Sequence, residues 1–129
     1  MTDTVMADDI VQQRLARDLP NWYLEGGSLR RRVRTSGWKA SMMVVNVIGH
    51  LAEAAWHHPD LSVSYAQVIV KLSTHSAKGI TDKDFQLARK LEEVIFWQPA
   101  LEPGSVLEGT PQNDARLRYI KFDHPESAA

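Results

Sequence analysis

The residues best suited to chemistry are a carboxylate and a set of imidazoles: Glu53 and His57-His58-Pro59, followed by His75 and Asp84. Imidazole changes charge near neutral pH and can both give and take a proton. Glu53 precedes His57 by one helical turn, so on a continuous helix the two share a face. His58 leaves at another angle where Pro59 ends the helix, and His75 precedes a break at Gly79. Groups of this kind at element ends suit general acid–base work. Three imidazoles could also hold zinc. Adjacent histidines rarely point at one ion, however, and no His-Glu-x-x-His pattern is present, so the reading is a site without metal. The chain has no cysteine, which excludes disulfides, thiolate ligands and a thiol nucleophile. His50 lies within an apolar run and reads as a packing or interface residue. His124, beside Pro125, reads as exposed.

The elements that must position these groups follow from periodicity. Val11, Leu15 and Leu19 mark one face of a helix over 9–18, which Pro20 stops. Trp22 to Glu25 and Ser28 to Thr35 read as a hairpin about Gly26-Gly27. In the second strand Leu29, Arg31 and Val33 alternate with Arg30, Arg32 and Arg34. Trp38 to Trp56 is too long for an ordinary strand and reads as a helix that is apolar on more than one side, hence buried centrally or at a subunit interface. Ser62 to Tyr65 and Val68 to Thr74 form a second strand pair. Thr81-Asp82-Lys83-Asp84 resembles a capping box opening a helix to about Phe96, with Leu87, Leu91, Val94 and Ile95 inward. The order α-β-β-α-β-β-α predicts an α+β fold, a four-stranded antiparallel sheet with helices packed on one face. The domain is expected over 1–97. Residues 98–129 form an irregular C-terminal extension in which Leu117 to Phe122 could add a short strand or dock on a partner.

With 129 residues, one domain is expected. Fifteen Lys+Arg against 16 Asp+Glu give a net charge of −1, so a polyelectrolyte nucleic-acid binder is not expected. No apolar run is long enough to span a membrane, and the first residues lack a secretory pattern, so the expected location is cytoplasmic.

Glu53-x-x-x-His57-His58-Pro59, then Tyr65, His75 and Asp84 at their spacings, resembles the signature of the pterin-4a-carbinolamine dehydratase family. Leu19-Pro20-x-Trp22, Lys71-Leu72-Ser73-Thr74-His75 and Gly79-Ile80-Thr81-x-Lys83-Asp84-Phe85-x-Leu87-Ala88 extend the resemblance over 19–95. It implies the same α+β fold and a homodimer or tetramer. It also implies loss of water from a 4a-hydroxytetrahydropterin to give the quinonoid dihydropterin, with no metal or other cofactor. His57, His58 and His75 would be the proton-transfer groups, and Glu53 would orient or charge-pair them. Lys83, Asp84, Trp56 and Leu61 fall on the substrate side of that pattern.

Trp56 and Ser76 stand where family members usually carry acids beside the histidines, and Leu61 where some carry an aromatic. Loss of adjacent carboxylates should leave the imidazoles less firmly oriented, so weak or absent dehydratase activity is expected. With Gly26-Gly27-Ser28-Leu29-Arg30-Arg31, Gly49 to Leu61 and Leu107-Glu108-Gly109-Thr110-Pro111, the departures are similar to a bacterial branch encoded among α-carboxysome and RuBisCO genes. That resemblance implies an assembly factor (chaperone) whose partner is the RuBisCO large subunit, with carboxysome association. Arg30, Arg32 and Arg34 would then form a basic stripe for an acidic client, with Tyr119 and Phe122 as further anchors. An active dehydratase is the alternative.

Overall fold

The computed structural model describes residues 4–122, so His124 lies outside the described residues. The elements are α1 (Asp8–Asp18), β1 (Tyr23–Glu25), β2 (Ser28–Thr35), α2 (Trp38–Ala55), β3 (Asp60–Ser64), β4 (Gln67–Leu72), α3 (Asp82–Ile95), a 3-10 turn (Pro99–Leu101) and β5 (Ile120–Lys121). All strand pairs are antiparallel, in the order β1-β2-β4-β3. The expected α+β architecture is present, with one addition. The short β5 pairs with β2 through Arg34↔Lys121 and Thr35↔Ile120. It does so because β1 covers only Ser28 to Arg30 of that strand edge. The far end of β2 would otherwise leave backbone groups unpaired beside the core.

Alternation places Leu29, Val33, Val68, Val70 and Leu72 on the inner face of the sheet. They pack against Val11 and Leu15 of α1, Val44 and Ile48 of α2, and Phe85 and Leu91 of α3. Arg31 shares this inner face and is 3% exposed. Its guanidinium forks onto Glu92 at 2.9 and 3.1 Å and lies 4.1 Å from the Phe96 ring centroid. Glu92 also accepts from the Trp22 indole at 2.8 Å. A charge buried this way is tolerable because its donors are met.

One expected face changes: Val94 is exposed, because the helical phase that buries Phe85, Ala88 and Leu91 turns Val94 outward. Of the two roles read for His50, packing within the chain does not hold, since it is exposed on the α2 face that carries Met42 and Met43. The strand expected from Ser62 begins earlier, at Asp60, where its ladder with Lys71 starts.

Candidate functional site

The end of α2 sets the site. Trp56 adopts a left-handed conformation with φ of 52°. Trp56 N–H donates to Glu53 O at 3.2 Å and His57 N–H to Ala52 O at 3.1 Å, a Schellman-type closure with tryptophan where glycine is usual. This reversal breaks the helical phase, so the expected Glu53–His57 pairing does not form. Instead His58 Nε2 meets Glu53 Oε1 at 2.6 Å, and His57 Nε2 meets Asp84 Oδ1 at 2.7 Å.

The two pairs differ in environment. His57 and Asp84 are 13% and 0% exposed in their side chains, whereas His58 and Glu53 are 49% and 69% exposed. The first is the firmly held pair, since exposed pairs are weakened by solvent and side-chain freedom. In both, the carboxylate can only accept when ionised, so Nε2 carries the proton and Nδ1 is left to exchange one.

Asp84 is held by the first turn of α3. Its Oδ2 accepts from Thr81 N–H at 3.0 Å and from Thr74 Oγ1 at 2.8 Å. Thr74 Oγ1 in turn lies 2.7 Å from Thr81 Oγ1, which accepts from Lys83 N–H at 3.3 Å. The capping box read from Thr81 and Asp84 therefore forms, and the same carboxylate orients His57. The neighbour positions Trp56 and Ser76 lack acids, yet both helix-end imidazoles keep a carboxylate, supplied by Asp84 and Glu53. The expected loss of orientation is corrected to that extent.

His75 follows β4 in a loop closed by Thr74 N–H to Gly79 O at 2.9 Å. It lines an open cleft of about 380 Å³ with Asp8, Lys78 and the segment Val5-Met6. Met6 N–H donates to Ile80 O at 2.9 Å, and Val5 lies over Gly79. His75 is thus joined to the His57 network through its neighbour Thr74, not by a hydrogen bond of its own side chain among the described residues. Trp56 is 76% exposed and meets His58 edge-on, with ring centroids 5.0 Å apart. Leu61 packs against the core opposite Val70. Lys83 is exposed on the first turn of α3. Among the described residues no three His, Asp or Glu stand together to hold a metal, and no helix is long and apolar enough to cross a membrane.

Arg30, Arg32 and Arg34 lie on the outer face of β2, away from the helices. Tyr119 is partly exposed beside Ile120, while Phe122 packs edge-on to Phe96 at 6.1 Å. Thr74 was the main residue missed. The signal was a threonine at the end of a strand, one position before His75.

The sequence profile described as pterin 4 alpha carbinolamine dehydratase matches residues 4–94. A protein of Aquifex aeolicus (strain VF5), provisionally named a pterin-4-alpha-carbinolamine dehydratase, is 41% identical over 93 residues, covering 70% of this chain and 94% of that protein. A Nocardia farcinica protein with the same provisional name is 36% identical over 94 residues, covering 73% of this chain and 98% of its own. The crystal structure of a transcriptional coactivator/pterin dehydratase from Brucella melitensis superposes with a TM-score of 0.62 at 26% identity, covering 69% of this chain and 96% of that one. The helix-end histidines with their carboxylates therefore sit on a shared scaffold, and the chain belongs to the pterin 4 alpha carbinolamine dehydratase family.

Proposed function

We propose that this chain is an assembly chaperone for the RuBisCO large subunit, built on the dehydratase scaffold and retaining at most weak dehydratase activity. The observation that carries the reading is the segment after residue 94, where the family match ends. It returns to the sheet as β5 and leaves Trp97, Leu101, Val106, Leu107, Leu117 and Tyr119 in solvent. Apolar side chains held on an ordered surface suit capture of a protein client. Co-expression of RuBisCO subunits with the full chain should raise the assembled enzyme on native gels. A chain ending at Trp97 should not, and equal yields from the two would reject the reading.

A homodimer or tetramer fits the exposed Trp38, Met42 and Met43 along α2 and the open edge of β3 with Val63. Carboxysome association rests on the resemblance alone.

The second reading is dehydration itself, favoured by the His57–Asp84 and His58–Glu53 pairs. In that reaction the C4a–O bond breaks as an acid protonates the leaving hydroxyl. A base removes a ring N–H proton, and water departs. His57, His58 and His75 are the proposed proton carriers. Turnover of synthetic 4a-hydroxytetrahydropterin at rates far above the spontaneous reaction, lost in His57→Ala, would establish it.

A further inference from the structure

The sheet is covered by helices on one face only, and strand register fixes what the open face presents. Opposed residues of antiparallel strands share a face. Arg30 stands opposite Tyr23 on one side and Lys71 on the other. Arg32 stands opposite Ile69, and Arg34 lies between Gln67 and Lys121. The outer row of β3 adds Asp60 opposite Lys71, then Ser62 and Ser64. The stripe read from β2 is therefore a field spread over three strands, with Lys71 and Lys121 added by β4 and β5. Glu25 and Asp60 are the acids at its margins.

Two like-charge pairs, Arg30↔Lys71 and Arg34↔Lys121, stand directly across the ladder. Such pairs destabilise a sheet. Arg30, Arg32, Lys71 and Lys121 make no ion pair among the described residues. In a chain of net charge −1, these four side chains are a local concentration of cation without an ion-pair partner among the described residues.

We propose that this open face docks an acidic protein surface, its guanidinium groups receiving carboxylates in forked hydrogen bonds. The inference rests on the protein-binding reading above and deepens it by naming the surface and its partner's chemistry. A protein partner is favoured over a nucleic acid. The acids Glu25 and Asp60 flank the field, and Tyr23 and Ile69 offer apolar contact within it, which suits a folded protein surface of mixed character better than a uniformly charged phosphate polymer. The face is distinct from the helix-side histidines, so docking and proton transfer can be altered separately.

The test uses the full chain, a fluorescein-labelled oligoglutamate peptide and a labelled DNA duplex, followed by anisotropy at low and at roughly 0.15 M salt. The peptide should bind at low salt, more tightly than the duplex, and weaken as salt rises. Arg32→Glu inserts an acid among Arg30, Arg34 and Lys71, so it should leave the melting temperature equal or higher while lowering peptide affinity roughly tenfold. No peptide binding by the unaltered chain, equal binding by Arg32→Glu, or tighter binding of the duplex would each overturn the proposal. RuBisCO co-expression separates the two ideas. Peptide binding without assembly assistance removes the client and leaves the face standing, whereas assistance without peptide binding removes the face and leaves the client.

Discussion

Asp84 uses both carboxylate oxygens on protein donors: His57 and the pair Thr74 and Thr81. One side chain therefore caps α3 and aims an imidazole. Asp84→Asn keeps the size but leaves one amide oxygen for Thr74 and Thr81 and turns its N–H₂ to His57, which can accept only by moving its proton from Nε2 to Nδ1. Losing the charged acceptor costs about 2 kcal/mol. Urea denaturation should register that loss. Any dehydratase turnover should fall mainly in kcat with KM little changed, because His57 is misaimed and not removed. Equal kcat in the variant would free His57 from dependence on this carboxylate. Asp84 was legible in the sequence as an acid three residues after an N-cap threonine. Its link to His57 was not, because 27 residues separate them and only the αL turn at Trp56 brings them together.

At the level of elements, α2 ends on a bulky residue in a conformation that side chains other than glycine adopt at a cost of about 1–2 kcal/mol. Trp56→Gly removes that strain and gives up only an exposed edge contact with His58. It should raise stability by about 1 kcal/mol, read as a higher melting temperature. A lower one would mean that the indole holds the helix end. Helices α1 and α3 are tied by Arg14, which lies over the Phe85 ring at 4.4 Å and donates to Asp82. The hydrogen bond from Arg14, then that from Gln86, holds the Asp82 carboxyl below its ordinary value of 3.8. A depressed carboxyl stabilises the fold above the unfolded value and loses that contribution as pH falls through the folded one. Denaturation midpoints of the parent should therefore drop more steeply below about pH 4 than those of Arg14→Met. Parallel acid limbs would show that this tie contributes nothing. Helix α3 was readable from its capping box. The outward turn of Val94 was not, because only packing fixes the phase of a helix end.

For the whole molecule, the returning tail is an addition that the core can lose. β5 contributes two ladder positions, and Ile120 is its buried residue. The Phe122–Phe96–Arg31 stack connects it to the Glu92 ion pair. A chain ending at Trp97 should keep its helical circular dichroism and unfold cooperatively, at a lower melting temperature, since loss of Ile120 uncovers the end of β2 beside Thr35. Collapse of the truncated chain would make the tail part of the folding unit and disqualify it as a control in co-expression.

By itself the sequence determined element order, the inward and outward alternation of β2, the cap of α3 and the identity of the helix-end histidines. Each of these is a local property, written in periods of two or 3.6 residues and in short capping patterns. Arg31 already stood at an inward position, but its partner Glu92 could not be read from alternation. Tertiary structure alone decided which carboxylate serves which histidine, where β5 returns, and that Lys71 and Lys121 join the arginines of β2. These are long-range pairings, set by chain reversal and strand register, and no local period encodes them.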